Sequence, residues 1–217
     1  QASTSEMYGN QKKVLDENSK FEPVSPYASA KLLAYWNTKI YRQAYGLFAS
    51  NGIMFNHESP VRGENFISKK TTKAVAEISL GLRDILYVGN LNSYRDWGYA
   101  GDYVEAMWKI MQHKKPDDFV IATNKTYSVR KFIELAFKRV GIIIVWKGKG
   151  INEVGYDKKT KKIHIKIDKI YFRPNEVEYL KGNYSKIKKI IGWKPKVNLN
   201  QLVNMMVDQD IKDLKSK

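Results

Sequence analysis

The chain has 217 residues, of which 43% are hydrophobic, enough to bury the core of one large domain or of one domain with a smaller lobe. It contains no cysteine, which excludes a disulfide framework and a thiolate metal site. No apolar run approaches the roughly 20 residues that a membrane-spanning helix requires. We therefore predict a cytoplasmic protein with no membrane partner.

The formal net charge is +16, and a charge of this size would attract any polyanion. Seven of the 38 basic residues are arginine and the others are lysine, spread along the chain with short clusters such as KKTKK at 158–162. Base readout and bidentate phosphate contacts prefer arginine. We interpret the lysine excess as a solvated surface and predict no nucleic-acid partner, with a basic nucleic-acid binder as the remaining alternative.

Apolar spacing and turn residues predict alternating strands and helices along most of the chain. In chain order the predicted elements are a strand end at 3–9, a helix from Ser25 to Gly46, a strand at 47–56, a helix at 66–80, a strand at 85–89, a helix at 101–113, a strand at 119–123 and a helix from Ser128 to Gly141. Such alternation favours an α/β architecture with a parallel sheet.

The pattern changes after residue 141. IIIVW and the alternating KIHIKID are separated by a charged turn region, and the helical segments SKIKKIIG and LNQLVNMMVDQDIKDL follow them. We interpret residues 142–217 as a smaller α+β lobe.

A tyrosine and a lysine stand four residues apart in SPYASAK, at 25–31. Side chains at this spacing are neighbours on one face of a helix. An ammonium group about 4 Å from a phenol favours the phenolate by roughly 4 kcal/mol, so Lys31 could prepare Tyr27 to act as a base. The alternative is an accidental pair in a lysine-rich helix.

The polar stretch STSEMYG at 3–9 fits the end of a strand, where α/β proteins place catalytic groups. Thr4 offers a hydroxyl and Glu6 a carboxylate, although Glu6 alone could be a surface acid. A hydroxyl, a carboxylate, a phenol and an ammonium in one cleft could together remove two protons from a sugar and return one.

Five segments together resemble one family over nearly the whole chain. The segments are TSEMYG, SPYASAK, NGIMFNHESPVRGENF, GNLNSYRDWGYAGDYVEAMW and RPNEVEYLKGNYSKIKKIIGWKP. The chain resembles the GDP-mannose 4,6-dehydratase family of extended short-chain dehydrogenase/reductases. YxxxK occurs throughout that superfamily, whereas NHES followed by RG, and RPxEVxxLxG, are much more specific.

The resemblance implies an α/β fold in which residues 1–141 form the C-terminal half of an NAD(P)-binding, Rossmann-like parallel sheet with interleaved substrate-binding segments. Residues 142–217 would form mainly the substrate-binding lobe. It further implies bound NADP, GDP-mannose as the substrate, conversion to GDP-4-keto-6-deoxymannose and water, and a homo-oligomer, because helices like the one containing Tyr27 pair between subunits in the superfamily.

The resemblance also implies roles for single residues. Tyr27 would take the proton of the C4 hydroxyl, Lys31 would hold the nicotinamide ribose and tune Tyr27, Glu6 would remove the C5 proton, and Thr4 would hydrogen-bond near the reacting positions. Cofactor contacts would come from Tyr27, Lys31, His57 and Arg62, and substrate contacts from Asn56, Lys70, Arg95, Arg173 and Glu176. Without the resemblance, His57 would be an ordinary loop histidine and each cation a solvated surface charge.

Two features depart from the family pattern. The family loop commonly has two arginines before its glycine, where this chain has Val61 and Arg62. The sequence also begins at Gln1 and contains no glycine-rich turn such as GxGxxG, the usual phosphate-binding turn of a dinucleotide fold. We therefore predict a C-terminal part of a longer enzyme, with a noncatalytic fragment that keeps a nucleotide-sugar or dimerisation surface as the alternative.

Overall fold

The computed structural model describes residues 1–172 and 177–216. Its α-helices are α1 (Pro26–Tyr45), α2 (Ile67–Ser79), α3 (Ala100–Met111), α4 (Val129–Arg139), α5 (Ser185–Ile191) and α6 (Leu199–Lys215). Its strands are β1 (Ala2–Thr4), β2 (Asn51–Met54), β3 (Asn56–Glu58), β4 (Leu86–Val88), β5 (Tyr94–Arg95), β6 (Trp97–Tyr99), β7 (Asp118–Ile121), β8 (Tyr127–Ser128), β9 (Ile144–Lys147), β10 (Val154–Asp157) and β11 (Ile163–Ile167).

The chain forms two compact units, each assembled from segments that are separated in sequence. The first unit takes residues 1–57, 94–127 and 175–198, and the second takes 58–93, 128–174 and 199–217, as far as these ranges are described. Whether cofactor binding and substrate binding divide near residue 141 stays a prediction.

The first unit contains a three-stranded sheet in the order β1-β2-β7, and both pairings are parallel, as the alternation of elements predicted. Thr4 lies opposite Met54, and Met54 lies opposite Ile121. These three residues are the last of their strands, so the carboxyl ends of all three strands meet at one edge of the sheet. Helix α1 packs against β1 and β2.

Local signals set both ends of α1. The Ser25 hydroxyl accepts a hydrogen bond from the Ala28 amide at 3.1 Å, and Pro26 occupies the first helical position. Gly46 follows the last turn with a φ of 66°, a left-handed conformation that glycine adopts without a steric penalty. The predicted helix from Ser25 to Gly46 is therefore confirmed.

The second unit contains a four-stranded sheet in the order β4-β11-β10-β9. β4 and β11 are parallel, whereas β10 is antiparallel to both of its neighbours. Helix α6 packs against α2 and α4. In the described part of the chain, no helix combines the length and the apolar character that crossing a membrane requires.

Candidate active site

Thr4 and Glu6 lie together at the carboxyl end of β1. Thr4 is buried and caps a short 3-10 helix, Ser5–Tyr8, because its Oγ1 accepts a hydrogen bond from the Glu6 amide at 3.3 Å. This cap holds the backbone of Glu6 just beyond the strand. Among the described residues the half-buried Glu6 carboxylate has no hydrogen-bond partner, so it can take a proton from a bound molecule.

Tyr27 and Lys31 lie one turn apart on α1, and the Lys31 Nζ is 5.9 Å from the centroid of the Tyr27 ring. They are neighbours, as their spacing predicted. Lys31 also donates a hydrogen bond from Nζ to the Ala2 carbonyl oxygen at 3.0 Å, which ties this turn of the helix to β1. The Tyr27 side chain is 52% exposed, and its hydroxyl has no hydrogen-bond partner in the described part of the chain.

Asn56 and His57 follow β2 at the same edge of the sheet. The Asn56 Oδ1 is buried and has no hydrogen-bond partner within residues 1–172 and 177–216, which is unusual for a buried polar atom. The His57 Nδ1 lies 2.9 Å from the Phe55 carbonyl oxygen, and the imidazole stacks on Tyr103 with ring centroids 5.1 Å apart. Asn56 therefore offers an acceptor for a ligand donor, and His57 is held by its surroundings.

Arg95 lies in β5, where its Nη1 donates a hydrogen bond to the Tyr94 carbonyl oxygen at 3.0 Å. The next residue, Asp96, is fully buried. Its Oδ1 accepts hydrogen bonds from the Thr123 amide at 2.8 Å and hydroxyl at 2.6 Å, and its Oδ2 accepts one from the Gly182 amide at 3.1 Å. Burial nevertheless raises the pKa of Asp96 to about 6.

Arg62 lies in the second unit, beside a buried carboxylate. The Arg62 Nε is 3.1 Å from the Glu58 Oε2, and its guanidinium carbon is 3.4 Å from the centroid of the Phe66 ring. Glu58 also accepts a hydrogen bond from the Ser68 hydroxyl at 2.6 Å, and burial raises the pKa of Glu58. Two contacts therefore orient Arg62: Glu58 lies at the edge of its guanidinium group, and the Phe66 ring lies against its face.

Lys70 also lies in the second unit, on α2. Its Nζ is 3.1 Å from the centroid of the Tyr171 ring, a cation–π contact. Two further predicted contacts, Arg173 and Glu176, lie outside the described residues.

The structure therefore places four of the predicted residues at the carboxyl edge of the first unit's sheet, namely Thr4, Glu6, Asn56 and His57. Tyr27 and Lys31 lie together on α1, and Lys31 is hydrogen-bonded to Ala2, the first residue of β1. Sequence reasoning did not single out Tyr103, Asp96 or Glu58, which hold or neighbour predicted site residues. All three occur in the segments that carry the family resemblance, but nothing in their spacing predicts these contacts.

Comparison with solved structures shows which known proteins share this fold. The NADPH complex of RMD from Pseudomonas aeruginosa superposes with a TM-score of 0.81 at 18% identity, covering 97% of this chain and 65% of that chain. The NAD complex of dTDP-glucose 4,6-dehydratase from Bacillus anthracis gives a TM-score of 0.79 at 20% identity, covering 99% of this chain and 61% of that one. At these identities the likeness shows the fold alone, an α/β fold with a parallel sheet.

Sequence comparison then defines the family. Residues 1–206 match the family described as GDP-mannose 4,6 dehydratase, and the chain belongs to this family. The GDP-mannose 4,6 dehydratase of Dictyostelium discoideum is 52% identical over 217 residues, covering 100% of this chain and 61% of the relative's own length. The predicted resemblance is confirmed, and the chain spans about three fifths of the length of that curated relative.

Proposed function

We propose that the native-length protein converts GDP-mannose to GDP-4-keto-6-deoxymannose and water, with a bound nicotinamide cofactor. The observation that carries this proposal is that Tyr27 and Lys31 lie one helical turn apart and that Lys31 is hydrogen-bonded to Ala2 of β1, the strand that ends in Thr4. Membership in the dehydratase family supports it.

The residues of the candidate site fit a sugar and a nicotinamide. The buried Asn56 Oδ1, which lacks a partner among the described residues, suits a hydroxyl or amide donor of a ligand. Lys31 supplies a cation that can hydrogen-bond ribose hydroxyls, and His57 supplies a ring nitrogen. We propose NADP as the form of the cofactor, on the basis of the family resemblance.

Tyr27 acts as the base in the first step of the proposed reaction. It takes the proton of the C4 hydroxyl, and the ammonium of Lys31 stabilises the resulting negative charge on the phenol oxygen. A bound nicotinamide cofactor would supply the hydride acceptor and donor that this chemistry needs, and Tyr27, Lys31, His57 and Arg62 are the residues that would hold it. Thr4 hydrogen-bonds to the substrate near these reacting positions.

Glu6 acts in the second step. A ketone at C4 makes the C5 proton acidic, and the Glu6 carboxylate removes it. The C6 hydroxyl then leaves and, with a proton from Glu6, becomes the water that is released. The proton that Tyr27 took from the C4 hydroxyl passes to C5 as C6 is reduced, so Tyr27 returns to its starting state. One water is lost from the sugar, and the oxidation at C4 balances the reduction at C6.

The remaining predicted residues bind rather than react. Arg62 is also proposed as a cofactor contact. Lys70, Arg95 and Arg173 supply positive charge for the diphosphate of GDP-mannose, and Glu176 accepts hydrogen bonds from ribose hydroxyls. We also propose a cytoplasmic location.

A homo-oligomer is the proposed assembly. Large apolar side chains are exposed at helical spacing on two helices of the first unit, namely Leu33, Trp36 and Ile40 on α1 and Val104, Met107, Trp108 and Met111 on α3. Leu33 and Trp108 are 64% and 62% exposed. A second copy of the chain would cover such faces.

Light scattering tests the assembly. We expect the wild-type mass to correspond to two or more chains and Leu33→Glu with Trp108→Glu to give a monomer. Ile170→Glu serves as the control, since Ile170 is 78% exposed and lies in the second unit. A monomeric wild-type protein would contradict the proposal.

Mass spectrometry of the sugar nucleotide tests the reaction. We expect the native-length protein to remove one water from GDP-mannose, and Glu6→Gln to form no 4-keto-6-deoxy product while still binding GDP-mannose. Glu22→Gln is the matched control, because the Glu22 carboxylate lies at the surface in an ion pair with Lys20. Binding without turnover in the wild type would instead support a noncatalytic nucleotide-sugar protein.

A further inference from the structure

The environment of His57 determines which of its ring nitrogens carries the proton. Its Nδ1 lies 2.9 Å from the Phe55 carbonyl oxygen, and a carbonyl oxygen can only accept a hydrogen bond. The neutral imidazole therefore has its proton on Nδ1. Its Nε2 is then the acceptor nitrogen.

Tyr103 holds one face of this imidazole. The two rings are nearly parallel, with centroids 5.1 Å apart and planes at 28°. Tyr103 is 1% exposed, and Trp193, which is completely buried, meets the Tyr103 ring edge-on at 6.1 Å and 89°. Because Trp193 blocks Tyr103 from moving into the core, Tyr103 is a rigid support for His57.

The neighbouring strand is shaped to accept the Tyr103 ring. His57 lies in β3, which pairs with β6, and Gly98 is the central residue of β6. A Cβ atom at Gly98 would lie 2.4 Å from the Tyr103 Cε2, closer than real Cβ contacts allow. Any larger residue at Gly98 would displace the ring that supports His57.

We propose that Tyr103 is a positioning residue: it holds the His57 imidazole in the plane and tautomer that let Nε2 accept a hydrogen bond from an N–H or O–H group of the nicotinamide cofactor. The cofactor part of this inference rests on the proposed function. The positioning part rests on the geometry of the three rings. Tyr103 itself need not touch the cofactor.

Nitrogen NMR of His57 in the native-length protein tests the positioning part without cofactor. We expect the wild type to show the tautomer protonated on Nδ1, with its ring protons shifted upfield by the stacked tyrosine. Tyr103→Phe, the matched control, should keep both features, whereas Tyr103→Leu should give a mixture of tautomers and lose the upfield shift. A wild-type spectrum with neither feature would overturn the proposal. This outcome needs only the wild-type protein, so the test holds even if Tyr103→Leu does not fold.

Titration with NADPH tests the cofactor part. An aromatic pair contributes about 0.5–1.5 kcal/mol, so Tyr103→Leu should weaken NADPH binding about 2- to 12-fold, and Tyr103→Phe should leave it within about 2-fold. In a His57→Ala background, Tyr103→Leu should cause no further weakening.

Three results would overturn the inference. Unchanged His57 signals in Tyr103→Leu would remove the positioning role. Equal weakening with and without His57 would show that Tyr103 acts by another route. Wild-type NADPH affinity in His57→Ala would refute the proposed contact between His57 and the cofactor, while the NMR result would still decide whether Tyr103 positions His57.

Discussion

The polar groups at the two ends of the parallel sheet differ in their hydrogen bonding. At the amino end, the buried Asp118 accepts two hydrogen bonds from Arg42, both at 2.9 Å, one from Asn51 at 2.8 Å and one from the Tyr35 hydroxyl at 3.1 Å. Burial opposes the ionisation of Asp118, but these hydrogen bonds outweigh it and hold its pKa below the usual value. These four side chains satisfy one another's hydrogen-bonding groups, and we call them the closed network.

At the carboxyl end, polar groups have been left unpaired. The Glu6 carboxylate and the Asn56 Oδ1 have no hydrogen-bond partners within the described ranges, and neither has the Tyr27 hydroxyl at the start of α1. The second half of α1 carries Arg42, which belongs to the network at the amino end. We propose that the amino end contributes stability and that the carboxyl end binds and reacts with a ligand.

The largest effect on stability is expected from breaking the closed network. Asp118→Ala leaves the Arg42 guanidinium, whose side chain is only 13% exposed, without its carboxylate partner. We expect the free energy of unfolding in urea to fall by about 3–5 kcal/mol. The control is Asp117→Asn, because Asp117 makes a more exposed ion pair with Lys186 and should cost about 1 kcal/mol or less. Equal effects of the two substitutions would show that the amino end is not a stabilising network.

A smaller effect is expected from Asp96, the buried acid near the carboxyl end. Its pKa is raised from 3.8 to about 6, so the folded state binds a proton more readily than the unfolded state. Its contribution to the free energy of unfolding therefore decreases as pH rises from about 4 to 6, by about 3 kcal/mol at most, and is constant above that range.

Asp96→Asn removes this contribution to the pH dependence. The measurement is the free energy of unfolding of both proteins in urea at pH 4, 5, 6 and 7. From pH 4 to pH 6 the wild type should lose stability relative to Asp96→Asn, and above pH 6 the difference between the two proteins should stay constant. A difference that is the same at every pH would show that Asp96 titrates normally in spite of its burial.

The smallest effect is expected at the start of α1. Ser25→Ala removes the hydroxyl that caps the Ala28 amide, which should cost about 1 kcal/mol of unfolding free energy. Ser29→Ala, one turn further on at an exposed position, should change it by less than about 0.5 kcal/mol. If the two substitutions had the same effect, the cap would not be fixing the turn that carries Tyr27.

Sequence reasoning succeeded where the signal is local. The ends of α1 were predicted because Ser25, Pro26 and Gly46 act on their own turns. The strand predicted at 47–56 was too long, and only Asn51–Met54 forms it, since the apolar Leu47 and Phe48 are exposed rather than buried in the sheet. Strand β10 was missed because its charged, turn-like sequence becomes a strand by pairing with β9 and β11 on both sides.

In the candidate site, too, the contacts set by local sequence were predicted and the long-range contacts were not. The neighbourhood of Tyr27 and Lys31 followed from helical geometry, and Thr4 and Glu6 followed from the expected end of a strand. The stack of Tyr103 on His57 depends on pairing between β3 and β6 and on space at Gly98, which join residues far apart in sequence. No local pattern carries that information.

The central claim is that the carboxyl end of the sheet serves chemistry rather than stability, and Tyr27→Phe in the native-length protein tests it most directly. The measurement is turnover of GDP-mannose together with the free energy of unfolding, compared with Tyr87→Phe, a control at a tyrosine that is 43% exposed in β4. We predict that Tyr27→Phe lowers turnover by at least about 100-fold and changes the free energy of unfolding by less than about 0.5 kcal/mol, while Tyr87→Phe changes neither. Turnover within a few-fold of wild type in Tyr27→Phe would contradict the claim.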